Sequence, residues 1–109
     1  MITITIFKKK SRDYIGFKIV GHAGFAAYGA DIVCASVSIL VINTINSMEV
    51  LLKEPFQYTQ DEDKGLIDFR FEQIPSEEAK LLLDSMILGL TEVEKQYGKK
   101  YILLTFKEV

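Results

Sequence analysis

The chain has 109 residues, of which 49% are hydrophobic and 26% are charged, and its formal net charge at pH 7 is -2. This size and composition predict one globular domain over residues 1–109, with enough apolar side chains to build a core without metal ions or disulfides. The mildly acidic balance excludes a general electrostatic attraction to nucleic acid, so we expect no direct nucleic-acid binding.

The first residues and the cysteine content favour a cytoplasmic protein. The opening MITITIFKKK alternates apolar and polar residues before it turns basic, whereas a secretory signal has its charges first. No run of eighteen consecutive apolar residues is present, so we expect no membrane partner. The single cysteine cannot form an internal disulfide, and a reducing compartment keeps such a thiol free.

Two strands are predicted at the start of the chain, over residues 2–7 and 14–20. Both segments alternate apolar and polar side chains with the period of a half-buried strand. The polar segment KKSRD between them is short, which is typical of a hairpin. The apolar positions of each strand share one face, with Ile2, Ile4 and Ile6 on the first and Ile15, Phe17 and Ile19 on the second.

A glycine-rich loop over residues 21–30 precedes a long apolar segment without glycine or proline. This segment predicts a helix over about 32–53, with Asp31 as its N-cap. Because apolar residues surround most of its circumference, we expect a buried helix that crosses the centre of the domain. Its far end is a candidate for contact with a second subunit.

The second half predicts strands over 56–60 and 66–72, joined by the turn DEDKG with Gly65 at positive φ. A helix follows between Ser76 as N-cap and Gly98 at its end, and residues 101–106 form a last strand. The order β-β-α-β-β-α-β predicts an α+β fold: a mostly antiparallel sheet with two helices packed on one face.

The stretch GHAGFAAYGADIVCAS holds the only histidine, His22, and the only cysteine, Cys34. With Asp31 as the cap, Cys34 is the third helical residue, where unpaired amides and the helix dipole favour a thiolate nucleophile. His22 can fold back over the loop as its base or ion-pair partner. The alternative is that Cys34 is a small core residue and His22 only structures the loop.

Four further residues are candidates for the same site. Gly21 and Gly24 allow the backbone to approach a ligand, and their amides can bind an oxyanion. Asp31 either caps the helix only or also orients His22. Ser38, one turn after Cys34, either lines the site or bonds to the backbone. The ligand sets of known metal sites are missing, so we expect neither a metal nor a cofactor.

The residues Gly21-His22-Ala23-Gly24, Gly29, Asp31-Ile32-Val33-Cys34-Ala35 and Ser38 resemble the signature of the ribosomal-processing cysteine protease Prp family, also called YsxB-like. Element order and length agree as well, so the resemblance covers essentially the whole chain. Ser36 stands where alanine is common in the family, which is a small-for-small change.

The resemblance implies a homodimeric cysteine endopeptidase needed for ribosome assembly. Such enzymes remove the short N-terminal extension of large-ribosomal-subunit protein twenty-seven, cutting after a Phe-Phe pair and ahead of an Ala-Ser-type start. Cys34 would be the nucleophile and His22 the general base and acid, with Gly21, Gly24, Asp31 and Ser38 supporting the site or the substrate. Two alternatives stay open: a non-catalytic ribosome-associated module that binds peptides and has a structural cysteine, and a thiol redox sensor that uses Cys34 without His22.

Overall fold

The computed structural model describes residues 1–22 and 30–109, and side chains over 1–22 and 32–109. Five strands and two helices lie within these ranges, in the predicted order. Their bounds are β1 Ile2–Lys8, β2 Tyr14–Val20, α1 Ala30–Val50, β3 Phe56–Asp61, β4 Leu66–Phe71, α2 Glu77–Tyr97 and β5 Ile102–Glu108.

The strands form one sheet in the order β3-β4-β2-β1-β5. Three of its four pairings are antiparallel, and β1 pairs with β5 in parallel. The predicted α+β fold with a mostly antiparallel sheet is therefore confirmed. The parallel pair exists because β5 returns to the edge of β1 after α2 has crossed the sheet, as parallel neighbours require.

One face of the sheet carries the core, as the strand alternation predicts. Ile4 and Ile6 of β1, Phe17 of β2 and Phe69 of β4 are completely buried. Both helices contribute the other side of this core. Their buried apolar residues are Val33, Val37, Val41, Ile45 and Met48 from α1, and Ala79, Leu83, Met86 and Leu90 from α2.

The bounds of α1 differ from the prediction at both ends. The helix begins at Ala30, so Asp31 is its second residue and the predicted N-cap position is wrong. Alanine is a good helix former, so Ala30 extends the helix by one residue on the N-terminal side of Asp31. At the other end Lys53 has φ 54° and the Glu54 amide donates to the Met48 carbonyl at 2.9 Å. This left-handed closure ends the helix before Pro55.

The prediction that α1 is buried around most of its circumference is also wrong for the single chain. Its core stripe is buried, but Ile39 is 69% exposed and Ile32 is 52% exposed. A helix in a two-layer fold has only one side against the sheet, so its outer apolar side chains remain uncovered. Residues 32–50 have a mean hydropathy of 1.5 and are long enough to cross a membrane, although a third of that segment is buried in the protein.

The ends of α2 agree with the prediction. The Ser76 hydroxyl accepts from the Ala79 amide at 3.1 Å, and Glu54 accepts from both the amide and the hydroxyl of Ser76. Gly98 has φ 93° and donates its amide to the Glu94 carbonyl at 2.8 Å. The cap therefore also ties the connection after α1 to the start of α2.

Tyr14 at the start of β2 predicts a loss of stability in alkali. Its hydroxyl donates to Asp84 on α2, and burial, followed by this hydrogen bond, raises the pKa of Tyr14 well above its ordinary value. A raised folded-state pKa contributes stability that is complete below the unfolded value of about 10 and is lost as the pH rises through the folded value. We therefore expect the free energy of unfolding to fall above about pH 10.

Urea unfolding of the wild type and Tyr14→Phe at pH 8 and pH 11 checks this prediction. The variant should lose about 1 kcal/mol at pH 8, the usual net value of one hydrogen bond. It should also lose less stability than the wild type between the two pH values. A smaller alkaline loss of stability should remain in both proteins, because burial also raises the pKa of Tyr58. An equal alkaline loss in both proteins would contradict the role given to Tyr14.

Candidate active site

The register of the sheet brings three chain segments together at the end of β2. In the antiparallel pairs on its two sides, Thr3 of β1 lies opposite Val20, and Ile67 of β4 lies opposite Ile19. The end of β2 is therefore flanked by the start of β1 and the start of β4. His22 follows β2 by two residues and stands at this meeting point.

Gly21 turns the chain from β2 into His22. It has φ 103°, and a Cβ atom at this position would lie 2.3 Å from the Met1 carbonyl oxygen, so only glycine fits without strain. The Gly21 amide donates to the Lys64 carbonyl at 3.3 Å, and the Met1 nitrogen donates to the His22 carbonyl at 2.5 Å. The backbone of residues 21 and 22 is thus bonded to Met1, just before β1, and to Lys64, in the turn before β4, while the His22 side chain is exposed.

The start of α1 supplies the thiol. Cys34 is the fifth residue of the helix rather than the third, so it lies beyond the first turn, where the effect of the helix dipole is strongest. Its side chain is partly buried and free of disulfide bonding. Ser38 follows one turn later with an exposed side chain, and both residues line the same cavity as His22. His22, Cys34 and Ser38 therefore lie around one cavity, and their roles in a site stay a prediction.

This cavity has a volume of about 210 Å³ and lies between the sheet and α1. One wall is apolar and comes from both layers: Ile2, Ile19, Val37, Val41, Leu66 and Ile67. The lining also includes polar residues, namely Gln60, Asp61 and Glu62 at the end of β3 and in the turn after it. In a cavity with such a lining, a thiol can attack a carbonyl group of a bound chain while an imidazole takes its proton.

Comparison with known proteins identifies the family. The sequence model of the family described as cysteine protease Prp matches residues 1–102. The chain belongs to the Prp family of cysteine proteases. The ribosomal processing cysteine protease Prp of Bacillus subtilis is 34% identical over 101 residues, which cover 89% of this chain and 90% of that protein. Its counterpart in Staphylococcus aureus strain Mu50 is 30% identical over 107 residues, covering 98% and 100% of the two chains.

Solved Prp structures agree with the fold. The Staphylococcus aureus protease in complex with a substrate peptide superposes with a TM-score of 0.90 at 29% identity, covering 98% of this chain and 100% of that one. The same protease with a covalently linked product peptide gives a TM-score of 0.88 at 30% identity, with the same coverage. The resemblance seen in the sequence motif is therefore confirmed at the level of family and fold.

Two of the predicted site residues are not placed by the structure. Gly24 lies outside the described residues, and Asp31 is described in its backbone only. The prediction that these residues support the Prp site or its substrate stays a prediction. Because Asp31 lies inside the helix, it is not the N-cap. Its other predicted role, orienting His22, is still to be tested.

Sequence reasoning missed the turn between β3 and β4 as part of the site. Gln60, Asp61, Glu62 and Gly65 line the cavity, and the His22 ring nitrogen Nε2 lies 3.5 Å from the Asp63 carbonyl oxygen. The sequence DEDKG at residues 61–65 predicted a turn. Its place beside His22 depends on β4 pairing with β2, a long-range pairing that the local pattern does not specify.

Proposed function

We propose that this chain is a cytoplasmic cysteine endopeptidase in which Cys34 is the nucleophile and His22 the general base and acid. The observation that carries the proposal is that the only cysteine and the only histidine of a Prp-family chain line one cavity. A covalently linked product peptide on the Staphylococcus aureus relative supports a covalent mechanism for the family.

In the proposed reaction, the Cys34 proton passes to His22 and the sulfur attacks the carbonyl carbon of the scissile peptide bond. The resulting tetrahedral intermediate collapses as the C–N bond breaks, and the His22 imidazolium protonates the leaving amine. His22 then removes a proton from water, which attacks the thioester. The second tetrahedral intermediate collapses as the C–S bond breaks, and the His22 imidazolium returns its proton to the Cys34 sulfur. The acyl fragment leaves as a carboxylic acid, which loses its proton to water.

The proposed substrate is the N-terminal extension of large-ribosomal-subunit protein twenty-seven, cut after a Phe-Phe pair. The apolar wall of the cavity supports this choice, because Ile19, Val37 and Ile67 can surround an aromatic side chain next to Cys34. Removal of the extension would serve ribosome assembly. Both named relatives are ribosomal processing proteases, which agrees with this substrate class.

Incubation with a peptide that carries the extension through the Phe-Phe-Ala junction tests the proposal. Mass spectrometry should detect two products separated after the second phenylalanine. A peptide with Ala-Ala in place of Phe-Phe is the matched control and should be cut far more slowly. Tight binding of the intact peptide without cleavage would contradict the proposal and favour a peptide-binding module with a structural cysteine.

We also propose that the protein acts as a homodimer. The outer faces of both helices leave large apolar side chains in solvent, with Ile39 exposed by 69%, Leu81 by 69% and Leu88 by 66%. Exposed apolar side chains at this density on a small domain are typical of an interface between subunits. The resemblance to a dimeric family points to a second copy of the chain as the partner.

Sedimentation equilibrium checks the proposed dimer. The wild type should have twice the 12.4 kDa mass of the chain, and Leu88→Glu should shift the equilibrium strongly toward the monomer, because a buried unpaired charge is costly. Phe106→Glu is the control, since Phe106 is 56% exposed on the edge strand β5 and not on a helix. A wild type that stays monomeric at all concentrations would rule out the dimer.

A further inference from the structure

Within residues 1–22 and 30–109, the turn between β3 and β4 contacts the His22 side chain, and no step of the proposed reaction uses this turn. The His22 Nε2 atom lies 3.5 Å from the Asp63 carbonyl oxygen. The Gly21 amide donates to the carbonyl oxygen of the next turn residue, Lys64, at 3.3 Å. The turn therefore contacts both the backbone before the histidine and the imidazole ring itself.

Asp61 determines the shape of this turn. Its carboxylate oxygen Oδ1 accepts from the Asp63 amide at 3.1 Å and from the Lys64 amide at 3.3 Å. An aspartate that bonds to the amides two and three residues ahead fixes the local backbone. The Gly65 amide closes the turn on the Glu62 carbonyl at 3.2 Å. The position of the Asp63 carbonyl oxygen thus depends on the Asp61 side chain.

Gly65 provides the space in which the turn meets His22. It has φ 60°, and a Cβ atom there would lie 2.4 Å from the Gly21 carbonyl oxygen and 3.0 Å from the His22 ring carbon Cε1. The first of these distances is shorter than the contacts that real Cβ atoms make, and the atom in the way is the backbone oxygen of Gly21. A methyl group at this position must therefore displace the turn, the Gly21 peptide or the imidazole.

We propose that the β3–β4 turn positions His22, with the Asp63 carbonyl oxygen accepting from Nε2–H and with Asp61 and Gly65 as positioning residues. A proton held on Nε2 leaves the lone pair of the neutral ring on Nδ1, which is then the atom that takes the proton from Cys34. The turn thereby does for this histidine what a third side chain does in protease triads. A separation of 3.5 Å fits a resting enzyme, in which such bonds are long and tighten when substrate binds.

This positioning role rests on the proposed function only in naming His22 as the base. Nuclear magnetic resonance tests the positioning role without substrate. Because His22 is the only histidine, the ring signals of the 15N-labelled full chain are unambiguous. We expect the neutral ring to carry its proton on Nε2, with a downfield Nε2–H resonance protected from exchange. Asp61→Ala and Gly65→Ala should weaken or abolish that protection.

Asp61→Asn separates hydrogen bonding from charge. The asparagine oxygen can still accept from the two amides, so this variant should keep the protected resonance. Asp63→Ala should keep it too, because the acceptor is the backbone carbonyl. In peptide cleavage, Asp61→Ala should lower kcat by about 10- to 100-fold with little change in KM, and Asp61→Asn should restore most of it.

Either of two results would overturn the positioning role. One is a neutral ring with its proton on Nδ1, and the other is an Nε2–H resonance that is the same in wild type and Asp61→Ala. If Gly65→Ala does not fold, the Asp61→Ala and Asp61→Asn pair still decides the question. A protected resonance in a protein that does not cleave the peptide would support the positioning role while the proposed function fails.

Discussion

Cys34→Ala is expected to reduce the rate of cleavage at the Phe-Phe-Ala junction by about 10⁴-fold or more, the usual effect of removing a protease nucleophile. Alanine keeps the β-carbon but has no atom that can form the thioester, so the covalent route is lost. Binding should survive, because the apolar wall of the cavity is unchanged. Single-turnover kinetics with the junction peptide, followed by mass spectrometry, measures the rate, and calorimetry measures the affinity.

Ser36→Ala is the matched control for Cys34→Ala. Ser36 lies on the same helix, two residues from the thiol, and its hydroxyl donates to the Ile32 carbonyl at 2.8 Å within α1. This variant should retain the wild-type rate. Both variants should unfold within about 1 kcal/mol of the wild type, since neither change removes a large buried side chain. Undiminished cleavage by Cys34→Ala would overturn the assignment of the nucleophile.

The fold was accessible from the sequence because its strands are strongly patterned. The alternation of Ile2, Ile4 and Ile6 specified the buried face of β1, and all three side chains are at most 4% exposed. The caps of α2 were equally predictable, since Ser76 and Gly98 bond to residues only three or four positions away. The ends of α1 were not, because Ala30 extends the helix past Asp31 and Lys53 closes it in a left-handed conformation that is unusual for lysine.

The site was only half accessible for a related reason. His22 and Cys34 stood out because each is the only residue of its type beside a glycine-rich loop. Asp61 and Gly65 are about forty residues further along the chain, and only the pairing of β4 with β2 brings them to His22. Local periodicity specifies that a segment is a strand and which face is buried, but it does not specify the neighbouring strand.

Phe69→Ala is expected to cost about 3–5 kcal/mol of the free energy of unfolding, the range measured for phenylalanine truncation in a core. Phe69 is completely buried at the centre of an aromatic cluster. Its ring stacks on Phe17 at a centroid distance of 4.9 Å and on Phe56 at 4.7 Å, and it meets the edge of Phe71 at 5.0 Å. Truncation therefore removes three aromatic contacts. It leaves a cavity among side chains of β2, β3 and β4.

The upper part of this range is the better expectation, because β4 cannot move into the space. It is paired on both sides, with β2 and β3, and the Phe69 carbonyl oxygen lies so close to Gly16 that a Cβ atom there would be only 2.0 Å away. A site that cannot collapse keeps the full cost of its cavity. Since a small domain is stable by only about 5–15 kcal/mol, the variant should be partly unfolded well below the wild-type melting temperature.

Urea unfolding followed by circular dichroism measures the effect, with Phe106→Ala as the matched control. Phe106 is 56% exposed on the edge strand β5, and the Lys8 Nζ atom lies 5.7 Å from its ring centroid. The same truncation there should cost less than about 1 kcal/mol, as surface substitutions do. Equal losses in the two variants would mean that the stability of this sheet does not depend on the aromatic cluster, and the central role of Phe69 would have to be abandoned.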